Sequence, residues 1–292
     1  MNTPKRSAWP GGLAVAMIAA LLSGCGAAPA PSAIGRSAPG TPAGRPVPLE
    51  VAALDAFVPA TAAEWADGGR FEGTINALRD ASVDTCMARY GFRVTAGFGL
   101  SAAAFAAIYV NNSQFPDLAN IARTRSFDVG SGFKAQPGPP ASRRKAYAAD
   151  DARCRAAGVQ PFVGVLRAGS SLQDRWMGIV NEIQSSGPVR ADLAGFASCL
   201  ESKGVPASSA GSLGAFLAWE TGVDTHARSL AGIHATDAHW APIFARCAGP
   251  TVSLQERLQS ARRAAFLRQN SGRVRQLEAL AGQDVAAARA RG

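Results

Sequence analysis

The chain has 292 residues, 47% of them apolar and 17% charged, and its thirty Lys and Arg against 21 Asp and Glu leave a formal charge of +9. That apolar share excludes a disordered chain, and the length suffices for one large domain or two small ones. The charge alone suggests a nucleic-acid binder, but nearly all of it is Arg in an Ala-rich chain, with Lys only at positions 5, 134, 145 and 203. Such a balance follows from GC-rich coding, so no nucleic-acid partner is expected; attraction to anionic lipid heads or wall polymers is the functional alternative to a merely solvated surface.

The first segment reads as an export signal. Lys5 and Arg6 precede an uncharged, mostly apolar run from Gly11 to Leu22. That run is short of the ~20 residues a bilayer-spanning helix needs. Leu22-Ser23-Gly24-Cys25 then matches a lipobox, with small residues before the cut and Cys25 as the lipid acceptor. Residues 1–24 are therefore expected to be a lipoprotein signal peptide. The stretch resembles the bacterial lipoprotein pattern, and that resemblance implies a diacylglycerol on the Cys25 thiol, with palmitate as an expected acyl chain; one chain alone holds only marginally and two hold firmly. Residues 25–49, rich in Ala, Pro, Gly and Ser, read as a spacer. The expected location is extracytoplasmic, lipid-anchored to the outer face of the cell membrane.

Four cysteines remain beyond Cys25: Cys86, Cys154, Cys199 and Cys247. An even number in an oxidising compartment implies two disulfides, with three pairings open on paper. A repeated pattern favours one of them. Cys86-Met87-Ala88-Arg89-Tyr90-Gly91-Phe92 and Cys199-Leu200-Glu201-Ser202-Lys203-Gly204-Val205 share Cys, an apolar residue, three spacers, Gly and an apolar residue. Gly91 and Gly204 fall where a helix C′ residue takes positive φ. Ala152-Arg153-Cys154 and Ala245-Arg246-Cys247 repeat in turn. The expectation is a mainly α, disulfide-stapled helical domain of two related helical halves. They span residues 50–168 and 169–292, with Cys86–Cys154 and Cys199–Cys247 bonded within halves.

Further helices follow from periodicity and stop signals. Residues 101–110 are expected to be helical behind Ser101, and residues 142–157 up to Gly158. Residues 171–186 carry a capping-box-like Ser171 and Asp174 and a face of Leu172, Trp176, Ile179, Val180 and Ile183. Gly187-Pro188 ends that helix and opens the next, which runs to Lys203. Ser253 and Glu256 look like the start of the C-terminal helix, broken near Gly272 and continuing to about Ala290. Phe92–Val94 and Phe162–Leu166 are short strand candidates, and Pro137-Gly138-Pro139-Pro140 marks a loop. Trp65, Trp176, Trp219 and Trp240 are expected in the core.

With the lipobox, the Cys-Met-x3-Gly-Phe helix end, the later Ala-Arg-Cys helix and the long C-terminal amphipathic helix, the chain resembles uncharacterised exported lipoproteins of actinobacterial type over most of residues 70–290. The resemblance implies export and disulfides and carries no activity. The second half departs from it, with Leu200 and Val205 in place of Met and Phe.

Catalytic signals are thin. His226, His234 and His239 share one window with Glu220, Asp224 and Asp237, a set that outside the cell could hold Zn²⁺ or Cu²⁺. A spacing of five puts His234 and His239 about 140° apart on a helix, against the i, i+4 spacing of a helical metal pair. Ser131-Gly132-Phe133-Lys134 matches Ser-x2-Lys but lies in a Gly-rich stretch without the accompanying motifs. Arg257, Arg262, Arg263, Arg268, Arg273, Arg275, Arg289 and Arg291 make the C-terminal helix basic and amphipathic, fit for an anionic surface or for solvent. The expected function is thus a non-enzymatic binding or accessory module of the cell envelope, without cofactor, whose partners are the membrane through Cys25 and an envelope protein or anionic wall polymer. The alternatives are a metal-assisted or serine envelope hydrolase, or a metal-binding lipoprotein using the histidine window.

Overall fold

In the computed structural model, residues 47–92, 115–127, 139–226 and 230–291 are described. Every regular element among them is helical. The order is α1 (Leu49–Phe57), α2 (Ala62–Arg89), α3 (Leu118–Thr124), a 3₁₀ turn (Ala141–Arg143), α4 (Arg144–Val159), a second 3₁₀ turn (Gln160–Phe162), α5 (Val163–Gln184), α6 (Gly187–Glu201), the single turn α7 (Ala207–Ala210), α8 (Leu213–His226), α9 (Leu230–Gln269) and α10 (Ser271–Arg289). Among the described residues no helix is long and apolar enough to cross a membrane. Cys25 and its lipobox, residues 101–110 and the Ser131–Lys134 motif lie outside the described residues.

Apolar spacing explains the largest core. On α5, Val165, Leu172, Trp176, Val180 and Ile183 recur every three to seven residues and are buried, the stripe a half-buried helix needs. Val165, Leu172, Trp176 and Val180 meet Ala53, Phe57, Phe71 and Ile75 from α1 and α2, and Phe266, Leu277, Ala281 and Val285 from the end of α9 and from α10. Residues from both sides of position 169 therefore share this core. A Cβ at Gly169 would clash with three ring atoms of Phe57, so α5 passes α1 where glycine leaves room for the phenyl group.

The second core is aromatic. Phe196, Phe216 and Phe244 are fully buried with Phe115, Leu200 and Ala241. Phe216 and Phe244 stack at 4.8 Å between centroids, and Phe127 and Phe196 meet Phe244 edge-on at 5.4 and 6.1 Å, geometries that aromatic quadrupoles favour. Trp219 and Trp240 close its rim, while Trp65 packs partly buried against the same core. Trp176 belongs to the first core and donates its indole N–H to the Pro59 carbonyl at 2.8 Å. A third, small cluster holds Val83, Met87, Phe92 and Cys154.

Several sequence expectations need correction. Phe162–Leu166 is helical, not a strand: Phe162 ends the second 3₁₀ turn, the rest opens α5, and Phe162 and Val165 are buried in the first core. Phe92 lies just past α2, and the rest of the Phe92–Val94 candidate is outside the described residues. Ser171 does not open a helix: α5 starts at Val163, where Asp284 from α10 accepts the Val165 N–H at 3.0 Å. Ser253 and Glu256 open none either, since both lie inside α9. That helix runs on through Pro242 and Pro250. Glu256 accepts the Ala62 N–H at 2.8 Å instead, serving the first turn of α2. In both cases a carboxylate on another helix satisfies the free amide. The C-terminal break falls at Asn270 rather than Gly272.

Candidate functional site

The sequence-marked residues gather at two corners, each built by the same local geometry. At the first, α2 ends at Arg89, Gly91 takes φ of 74°, and the Phe92 N–H returns to the Met87 carbonyl at 3.1 Å. At the second, α6 ends at Glu201, Gly204 takes φ of 94°, and the Val205 N–H returns to the Leu200 carbonyl at 3.2 Å. Both are the glycine-terminated helix ends that satisfy otherwise orphaned carbonyls, with an apolar contact across the turn. Met87 and Leu200 are fully buried, and Phe92 and Val205 nearly so.

A disulfide pins each corner. Cys86 bonds Cys154 on α4, with Cα atoms 5.6 Å apart, and Cys199 bonds Cys247 on α9, with Cα atoms 5.7 Å apart. The pairing is the within-half one that the repeated pattern favoured.

The surroundings of the corners differ. At the first, Arg143 donates to the Gly91 and Tyr90 carbonyls at 3.3 and 3.2 Å and lies over the Phe92 ring at 4.1 Å. Arg153 donates to the Tyr90 hydroxyl at 3.1 Å and pairs with Asp150. At the second, the disulfide is part of the aromatic core.

The histidine window does not assemble in the described part. His234 and His239 are exposed on α9, and His239 sits edge-on against Trp240 at 4.7 Å. His226 ends α8, and its side chain lies outside the description. Among the described residues no group of three metal-ligating side chains comes together. The nearby Asp237 is buried and accepts from the Ser126 hydroxyl at 2.7 Å, tying α9 to the segment after α3.

One charged cluster was missed in the sequence. Asp55 is buried on α1, its side chain 5% exposed. Arg263 reaches it from α9 at 2.6 Å, reaches Glu64 on α2 at 2.9 Å, and donates to the Val58 carbonyl at 2.7 Å. Glu64 also accepts the Ala60 N–H at 2.7 Å, while Thr61 Oγ1 accepts the Glu64 N–H at 3.2 Å. The α1–α2 turn thus has partners for its buried polar backbone, as burial requires. Burial pushes Asp55 up to about 6; Arg263 opposes that shift and Glu64 adds to it. Glu72 on α2 is pushed up to about 7, again by burial, with Arg79 opposing. The signal for Asp55 was a lone carboxylate inside an apolar run, Val51 to Val58.

Beside the cluster, Phe57, Pro59, Trp65, Trp176, Met177 and Gln259 line a shallow crevice with a free volume of about 10 Å³. That is room for about one water, far too little for an organic ligand. Arg263, Asp55 and Glu64 serve the α1–α2 turn, which makes the charged cluster a structural latch.

The C-terminal arginines divide. Arg263 turns inward, while Arg257, Arg262, Arg268, Arg273, Arg275, Arg289 and Arg291 are exposed. The apolar stripe of α10, Leu277, Ala281 and Val285, is spent on the first core. No protein-family model, curated protein or solved structure matches the chain.

Proposed function

We propose that the protein is a membrane-anchored cell-envelope lipoprotein whose disulfide-closed helical domain acts as a non-enzymatic binding or accessory module. The observation that carries this reading is the cysteine arrangement. Cys86–Cys154 and Cys199–Cys247 consume all four cysteines of the domain. The fifth, Cys25, follows Leu22-Ser23-Gly24 at the end of a short apolar run. Structural disulfides persist outside the reducing cytosol, which fits export. A cysteine at that position fits lipidation.

The domain's partner would be an envelope protein or an anionic wall polymer, met within reach of the membrane. Expression in a bacterium that processes lipoproteins tests the reading. The mature chain should start at Cys25, carry a diacylglycerol-plus-acyl mass and sediment with membranes, and Cys25→Ala should lose all three. A mature chain starting elsewhere, or an unmodified Cys25, would sink it. Crosslinking in intact cells, compared between wild type and Cys25→Ala, should return an anchor-dependent partner set.

A further inference from the structure

The two disulfide corners share backbone geometry but not charge. At the first, Arg89, Arg143, Arg144, Lys145 and Arg153 are all exposed around Tyr90, itself 38% exposed. Their proximity is set by hydrogen bonds and by the chain. Arg143 and Arg153 are held on the Tyr90–Phe92 segment. Arg144 and Lys145 follow Arg143 at the start of α4, and Arg89 adjoins Tyr90. Asp150, mostly buried, pairs with Arg153, and Asp151 pairs with Arg155. The first turn of α4, which holds Arg144 and Lys145, carries no acidic residue. At the second corner the matching positions are Ser202, Lys203 and Arg246, next to Glu201.

We infer that the first corner is a docking face for anionic phospholipid headgroups of the membrane that holds the anchor. Two arginines already fixed by hydrogen bonds lose little side-chain freedom on meeting phosphate. Tyrosine with a polar tip suits the headgroup level. Reach favours lipid over a distant partner. With lipid on Cys25, residues 26–46 separate the domain from the bilayer, so at ~3.4 Å per residue it never leaves by more than about 70 Å. The inference rests on the lipoprotein reading. The basic face would hold the domain close to the membrane in one orientation.

Amine acylation read by peptide mass spectrometry tests it, because Lys145 lies in the face and Lys203 marks the equivalent place at the second corner. The full lipidated chain is reconstituted in vesicles that are either zwitterionic or about one-third anionic. Lys145 should react roughly fivefold more slowly on anionic vesicles, with Lys203 unchanged. The protection should vanish near 1 M salt, where screening falls to ~3 Å. It should also vanish in Arg89→Glu/Arg144→Glu, two exposed side chains outside the Arg143 and Arg153 hydrogen bonds that hold the corner. Equal Lys145 rates on the two vesicles would overturn the proposal, as would equal protection of Lys203. Protection by soluble polyphosphate without protection by anionic vesicles would also overturn it, in favour of a wall polymer. The intact mass reports lipid on Cys25 separately, so failure of the anchor and failure of the face are told apart.

Discussion

The two disulfide corners use one backbone solution in two different environments. Around Cys86–Cys154 the apolar content is small: Val83, Met87, Phe92 and Cys154, with Cys86 and Tyr147 at the edge. Arg143 and Arg153 reinforce it from outside through carbonyl, hydroxyl and ring contacts. Around Cys199–Cys247 a dense set of phenylalanines fills the same role. The comparison teaches that a helix end and a crosslink are portable, whereas what stabilises them is not. The first corner leans on covalent and polar ties, the second on buried aromatic area.

Truncation of aromatic residues should separate the two most strongly. Phe244→Ala removes a ring that touches Phe127, Phe196 and Phe216, and we expect a loss of up to about 5 kcal/mol. Phe92→Ala, in the smaller cluster, should cost about 3 kcal/mol. Urea unfolding followed by tryptophan fluorescence would measure both, and equal losses would erase the contrast.

Removing each bridge as a double Cys→Ala change is the next test. The closed loops of 68 and 48 residues predict almost the same entropic loss, about 4 kcal/mol each. The distribution should differ. Without Cys86–Cys154, amide exchange should quicken across α4 and the end of α2. Without Cys199–Cys247, α6 and α9 should stay protected by the aromatic core. Matching local exchange in the two variants would refute the idea that the first corner depends more on its bridge.

The Asp55 latch lies outside both corners and offers a common reference. Its carboxyl sits at about 6 in the fold, above its usual value, because burial penalises the charge. The folded state therefore binds more protons than the unfolded one between about 4 and 6. This contribution is full below about 4 and is lost as pH rises through 6. The ceiling is ~3 kcal/mol, from 1.36 kcal/mol per unit. Asp55→Asn should flatten that part of the pH–stability curve, leaving the Glu72 part, which extends toward 7. An unchanged curve would mean that Arg263 keeps Asp55 ionised.

The smallest expected effect tests the shared geometry. Gly91→Ala and Gly204→Ala each force a Cβ into positive φ, costing about 1–2 kcal/mol. Similar losses, read from thermal unfolding, would support one motif used twice. A neutral Gly204→Ala would break the equivalence.

Local rules account for what the sequence revealed. Helical periodicity on α5, the Gly187-Pro188 boundary, the glycine stops at 91 and 204 and the choice of disulfide pairing were all legible. Each depends on residues a few positions apart or on a repeated short pattern. The capping signals were legible and misleading. Ser171 with Asp174 and Ser253 with Glu256 look like helix starts, yet both lie within helices. A capping pattern states only that a side chain is able to accept an amide, not which amide it will meet.

The chain by itself determined a mainly helical, twice-crosslinked domain, because φ preferences, apolar period and cysteine grammar are written locally. The tertiary structure alone decided that Asp284 and Glu256 serve the starts of α5 and α2, that Arg263 turns inward to Asp55, and that residues on both sides of position 169 share one core. Those outcomes depend on which helices lie side by side. Burial then makes each unpaired amide or charge costly, and the nearest polar group on a neighbouring helix becomes its partner.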